Sequence, residues 1–228
     1  MKTKTKKFYS IIILTFISIT SHAQTTDNID EFRQYVNFAF GAGPNLMGYR
    51  INTNNTEYAP DHTIPSLGLD AGATLDYHIT PLWSLLFNAT GNIERVKLIK
   101  NDSTDCLTTY GMDLTVTAAY RKPLQKGVLI LAAGPFAHFA LANTIKGDGA
   151  TPNPYTRIIA TDPHTDEPTF AMSDFNAGIT LALGYRFNNN LQITLNLKWG
   201  ITDLLNYDSH DLYTKPYKIT TQFSYNLD

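Results

Sequence analysis

From Leu67 to Ile79 the chain alternates without a break. Leu67, Leu69, Ala71, Ala73, Leu75, Tyr77 and Ile79 take one set of positions, and Gly68, Asp70, Gly72, Thr74, Asp76 and His78 take the other. Side chains of an extended strand point to opposite faces in turn, so this stretch predicts a β-strand with one apolar face and one small, polar face. The pattern recurs along the chain. "YVNFAFGAGPNL" precedes it, and "WSLLFNATGNIE", "YGMDLTVTAAYR", "VLILAAGPFAHFAL", "DFNAGITLALGYRF", "LQITLNLKWGIT" and "YKITTQFSYNL" follow, giving eight strands. Each has roughly the 9 to 11 residues that cross a bilayer at a tilt. The fifth is apolar on both faces; by analogy with the Gly-Pro of the first strand, Gly134 points inward and Leu129, Leu131 and Phe139 outward.

The joins alternate as well. Thr80-Pro81-Leu82, "KPLQKG" and "NNN" from Asn188 are short, whereas residues 50–65, 96–107, 142–172 and 203–215 form long connections. Short turns at one end and long loops at the other are the asymmetry of outer-membrane barrels, with the turns in the periplasm and the loops outside the cell. The expected fold is all-β: an eight-stranded antiparallel up-and-down transmembrane β-barrel.

The chemistry of the two faces decides between membrane and water. A soluble, lipocalin-like barrel would expose the Gly/Thr/Asn/Asp face, yet soluble surfaces are rich in Lys and Glu and poor in glycine. A small, polar face instead suits a narrow eight-strand lumen filled by side chains. The apolar face carries aromatics near the strand ends: Tyr77, Trp83, Tyr120, Tyr185, Phe187 and Tyr225 by the short turns, and Tyr110, Phe175, Trp199 and Tyr217 by the long loops. Two such belts mark two membrane interfaces.

The N-terminus sets the compartment. "MKTKTKKFYSIIILTFISITSHAQ" has a basic head, an apolar run from Phe8 to Ile19 and small residues at Ser21 and Ala23. This is the layout of a secretory signal peptide cleaved after Ala23, and its apolar run is too short to span a membrane. The domains expected are a signal peptide over 1–23, a periplasmic segment over 24–34 and the barrel over 35–228. A mean hydropathy of −0.18 is compatible with a β-barrel, in which only every second residue meets lipid. A net charge of −2 points to no nucleic acid, and the one cysteine, Cys106, leaves no disulfide framework.

"GAGPNL" at 41–46, "AAGPFAHF" at 132–139, "LALGYRF" at 181–187 and the alternation itself resemble the small PorT-like outer-membrane barrels of Bacteroidetes-type bacteria, with an OmpX-like eight-strand architecture. The resemblance covers most of the mature chain. It implies an integral barrel and carries no catalytic residues to transfer. One departure is the C-terminus, which is Leu227-Asp228 where such barrels often end in an aromatic residue, leaving Tyr225 for the assembly signal.

Charged residues on the inward face are the candidate site. Asp70, Asp76, Glu94 and Asp113 come from the second to fourth strands, and Arg186, Lys198 and Lys218 from the sixth to eighth, across the ring. Strand direction places Asp70, Glu94, Asp113, Lys198 and Lys218 toward the long loops and Asp76, His78 and Arg186 toward the short turns. Two layers of ion pairs are expected, because an unpaired charge in so narrow a space is costly. A proton or solute path is the functional alternative to a packed plug, and the plug fits eight strands better.

The loops carry weaker signals. Asp162, His164, Asp166 and Glu167 in "TDPHTDEP" have the ligand types of a surface metal site, but a prolyl polar loop explains them as well. Catalysis would need a serine with histidine and an acid in reach. Ser66, Ser84, Ser173, Ser209 and Ser224 are the rim or inward serines; only Ser84 lies near His78, at the periplasmic rim, and Ser209 is merely adjacent to His210 in sequence. The expectation is therefore a non-catalytic barrel without cofactor. Its partners would be outer-membrane lipid and an extracellular ligand or envelope protein. A small-solute pore and a lipid-modifying enzyme are the alternatives.

Overall fold

The computed structural model describes residues 36–52, 62–100, 103–147, 158–161, 168–170, 173–204 and 213–227. Its strands are β1 (Val36–Asn52), β2 (His62–His78), β3 (Trp83–Lys100), β4 (Ser103–Leu124), β5 (Gly127–Gly147), β6 (Ile158–Thr161), β7 (Pro168–Phe170), β8 (Phe175–Phe187), β9 (Leu191–Gly200) and β10 (Tyr213–Leu227). Eight of them close into one antiparallel ring in the order β1-β10-β9-β8-β5-β4-β3-β2. Strands β6 and β7 form a separate two-stranded sheet in the β5–β8 connection. Closure pairs β1 with β10 from Phe38↔Leu227 to Asn52↔Tyr213, leaving the ring without an open edge.

The alternation produces this ring directly. Leu67, Leu69, Ile179, Leu181, Leu183, Ile193, Leu195 and Phe223 stand exposed on the outside, while Asn45, Thr115, Thr117, Thr180 and Thr220 are buried within. Every predicted belt aromatic except the half-buried Tyr120, Tyr185 and Tyr217 is exposed on this outer wall. Trp83 meets Tyr120 at a tilt with ring centres 5.3 Å apart, and Tyr185 meets Phe187 edge-on at 4.8 Å. At the turn after β8, Asn190 adopts a left-handed conformation (φ 65°), which asparagine tolerates better than most residues.

Two expectations about the wall change. The strands are longer than a bilayer crossing requires: β4 has 22 residues and β5 has 21, against 10 in β9. Residues 96–100 and 103–107 are strand and not loop. They continue the β3–β4 ladder to Lys100↔Ser103, and Cys106 is a strand residue opposite Lys97 and Lys146. Val96, Leu98 and Leu107 fill the interior there, with Ile145 packed against them. The rim is consequently tall along β3–β5 and low at β8–β9.

The lumen is also less uniformly polar than its alternating pattern suggested. Met47, Tyr49, Val96, Leu98, Leu107 and Leu204 form an apolar cluster inside the long-loop end. Leu86, Ala119, Ile130 and Ala132 form another near the short turns, which explains why the fifth predicted strand is apolar on both faces. Leu204 reaches the first cluster because the chain after β9 folds inward. Its backbone N–H donates to Thr214 at 3.0 Å, and its carbonyl accepts from the Ser173 N–H at 2.7 Å.

Candidate functional site

Below the Leu204 cluster the inward charges converge on Asp113 of β4. Lys198 and Lys218 sit directly opposite each other on β9 and β10, so two ammonium groups enter the lumen side by side. They share Asp113 Oδ2, with Lys198 Nζ at 2.5 Å and Lys218 Nζ at 2.9 Å. Lys218 also reaches Glu94 Oε1 at 2.8 Å and Asp70 Oδ1 at 3.1 Å, so one ammonium ties three strands of the opposite wall together. Asp70 accepts further bonds from Asn45 Nδ2 at 2.5 Å and Thr220 Oγ1 at 2.9 Å. Phe136 lies under Lys198, its ring centre 5.6 Å from the ammonium. All of these charged groups are buried, where an unpaired ion would cost several kcal/mol.

His138 of β5 completes the layer. Its Nδ1 lies 2.7 Å from Asp113 Oδ1, and its Nε2 faces Glu94 Oε2 at 3.7 Å. Three carboxylates then meet two ammonium groups and an imidazole, and the layer is neutral when that ring carries a proton. Gly111 makes room for the ring: a Cβ there would lie 2.6 Å from His138 Cε1 and 2.7 Å from Asn92 Oδ1. Glu94 Oε2, His138 Nε2 and Asn176 Oδ1 accept or donate no hydrogen bond within the protein, and their residues border a cavity of about 20 Å³, room for a single water. Glu94, Asp113 and His138 also hold their potential ligand atoms within 4.8 Å of one another. The ammonium groups of Lys198 and Lys218 already occupy the cationic position beside these carboxylates, so the donor set fits a salt-bridged plug rather than a metal centre.

A second layer closes the short-turn end. Asp76 pairs with Arg121 of β4 and with His78 Nε2 at 3.2 Å, and Arg121 Nε donates to Ser84 Oγ at 3.0 Å. Between the layers lies a cavity of about 50 Å³ lined by polar side chains, among them Thr74, Asn88, Thr115, Thr194 and Asn196, and by Leu86, Ile130 and Ala132 of the second apolar cluster. It has room for a few waters. The lumen is thus stacked from the loop end as apolar cap, ion layer, hydroxyl-lined chamber and ion pair.

The predicted residues Asp70, Glu94, Asp113, Lys198 and Lys218 are brought together in one layer, and Asp76 meets His78 in the other. Arg186 is not part of either. Among the described residues it makes no ion pair, and Arg121 takes its place beside Asp76. The reason is register: Trp83↔Tyr120 and His78↔Ser84 put Arg121 against the Asp76 end of β2, whereas Arg186 pairs with Gln192 and Val128 two strands further round the ring. Sequence reasoning passed over Arg121 and His138 although both have inward parity, Arg121 with Asp113 and His138 with Gly134. Asp162, His164, Asp166 and Glu167 lie outside the described residues, as does Ser209. Ser84 is the register partner of His78, but its hydroxyl is engaged by Arg121 and His78 turns to Asp76, so no nucleophile–base pair forms there.

A closed eight-stranded ring with an apolar exterior, aromatic belts and a salt-bridged interior defines an integral outer-membrane barrel. The chain belongs to the family of the outer membrane protein beta-barrel domain, whose family model matches residues 22–206. Solved structures of similar fold include the outer membrane protein OprG from Pseudomonas aeruginosa, at 11% identity and a TM-score of 0.46 over 85% of this chain and 96% of that one. Neisserial surface protein A matches at 12% identity and a TM-score of 0.43, covering 82% and 96%. The outer membrane protein AlkL, solved in lipid bilayers, matches at 10% identity and a TM-score of 0.38, covering 85% and 91%. No curated protein matches the sequence.

Proposed function

We propose that this protein is a plugged outer-membrane barrel that acts at its extracellular surface, binding a ligand, a surface polymer or an envelope protein there, without catalysis and without a cofactor. The motifs "GAGPNL", "AAGPFAHF" and "LALGYRF" support a place among PorT-like, Bacteroidetes-type barrels exported by the N-terminal signal. The observation that carries the reading is Lys218, bonded across the lumen to Asp70, Glu94 and Asp113 beneath an apolar cap. A solute path through this layer would have to break several buried charge-assisted bonds at once. With the interior committed to holding the ring, the parts left to meet other molecules are the tall β3–β5 rim and the loops beyond it.

Planar-bilayer recording of the full chain tests the plug. The wild-type protein is expected to give no steady single-channel steps, and stable open steps overturn the reading in favour of a small-solute pore. Labelling of Cys106 on intact cells by a membrane-impermeant maleimide tests the orientation. Cys106 lies on the tall rim, so labelling supports an exterior rim, and labelling only after denaturation reverses the orientation.

A further inference from the structure

Charges on the barrel wall are sorted by sign. Every carboxylate on a described strand, namely Asp70, Asp76, Glu94, Asp105 and Asp113, is buried in the interior. The exposed strand residues that carry permanent charge are all cationic, and three of them cluster on the outward face of the tall rim: Arg95 and Lys97 on β3 and Lys146 on β5. The ladder places them together. Lys97↔Cys106↔Lys146 is one row across three strands, and Arg95↔Thr108↔Thr144 is the next outward-facing row toward the membrane. Adjacent strands are about 4.8 Å apart, so the two lysines stand roughly 10 Å from each other. That is near enough for both flexible arms to reach one anionic group. The other outward side chains of the patch are Ile64, Thr104, Cys106, Thr108, Ala142 and Thr144, which include no acid, and among the described residues the three cations have no ion-pair partner.

Height on the wall identifies the partner. The row immediately below Arg95 is Ile93↔Tyr110↔Ala142, and Tyr110 belongs to the aromatic belt that marks the membrane interface. Arg95 and Lys97 therefore sit about two and four residues beyond the belt, roughly 7 and 13 Å along a tilted strand. That is the depth of the lipid head groups, and the alkyl stems of lysine and arginine can lie against the apolar wall while their charges reach outward. Carboxylates at the same heights, Glu94 and Asp105, face the lumen and cannot neutralise them. Exposed acids instead occur at the low side of the barrel, as Asp174 before β8 and Asp203 after β9, so the cationic patch is one-sided.

We propose that Arg95, Lys97 and Lys146 form a cradle for the phosphate groups of phosphorylated glycolipid in the outer leaflet, so that the β3–β5 side of the barrel carries a bound lipid head group. The inference deepens the outer-surface reading by naming a ligand class. The two fail separately, since channel steps overturn the plug and the experiment below addresses only the cradle.

The full chain is reconstituted in phosphatidylcholine vesicles containing either bis-phosphorylated lipid A or its dephosphorylated form, and lipid retained after detergent extraction is measured by native mass spectrometry. Wild-type protein is expected to retain the phosphorylated lipid preferentially. The Arg95→Gln, Lys97→Gln, Lys146→Gln triple variant is expected to lose on the order of a hundredfold in that preference, since each cation near a charged lipid surface contributes about 1 kcal/mol. All three side chains leave the strand outward, so the variant should keep the heat-modifiable mobility of a folded barrel, and an Arg95→Lys, Lys97→Arg, Lys146→Arg variant should retain the lipid. In parallel, bound lipid should slow maleimide labelling of Cys106, which lies between Lys97 and Lys146. Equal retention of the two lipids by the wild type, or equal retention by the wild type and the glutamine variant, overturns the proposal. Displacement of the lipid by millimolar inorganic phosphate also overturns it, because the patch would then be a site for free phosphate.

Discussion

The two charged layers of the lumen are built differently. Near the loops, three carboxylates share two ammonium groups and an imidazole beneath an apolar cap. Near the turns, a single carboxylate meets one guanidinium, with His78 and Ser84 beside it. In the first layer Lys218 serves three anions, so its loss leaves more than one buried charge without compensation. In the second, His78 is half-buried at the rim, and water at the barrel mouth can replace part of what is lost. The cost of breaking an ion pair should therefore be set by how many partners share it and by its distance from water, more than by its length.

Lys218→Met is the strongest way to break the contrast. It should destabilise the barrel by about 3–5 kcal/mol, the usual cost of stranding buried charges. Urea unfolding in lipid vesicles, followed by the fluorescence of Trp83 and Trp199, reads it directly, because these tryptophans stand on the outer wall at opposite ends of the barrel. A loss below that of any rim variant would show that the layer is hydrated and its charges independent.

Leu107→Ala probes the cap above the layer. Leu107 is one of the most deeply buried side chains, and its truncation should cost about 2–4 kcal/mol in the same assay. A cap that only overlies the plug should leave bilayer recordings silent; steady current in this variant would make the cap, and not the ion layer, the barrier.

Arg121→Gln should cost about 1.5–3 kcal/mol, the range for a hydrogen bond to a charged group, and less than Lys218→Met. Arg186→Gln sharpens the comparison at the small end. It should change stability by no more than about 0.5 kcal/mol, as for surface substitutions away from special contacts. If Arg186→Gln proved the more costly of the two, the pairing of Asp76 would have to be reassigned to the residue that the sequence alone suggested.

The alternation of apolar and polar positions determined by itself the number of barrel strands, the antiparallel closure and the face turned to lipid, because strand period and side-chain direction are local properties of the backbone. It also disclosed that Asp70, Asp76, Glu94, Asp113, Lys198 and Lys218 enter the lumen, since parity from one known inward residue fixes the rest of its strand, but it left Asp105 in a loop. Partnership was not legible in that way. Arg121 displaced Arg186 because the choice depends on stagger between strands, which alternation does not specify. His138 joined Asp113 because β4 and β5 lie in register at Asp113↔His138, with Gly111 clearing the space. The continuation of β3, β4 and β5 above the membrane was likewise settled by tertiary packing. Val96, Leu98 and Leu107 become interior only when Met47 and Tyr49 from β1 and Leu204 from beyond β9 arrive to cover them. Local sequence sets the face a side chain occupies, whereas the ring's closure decides what it meets there.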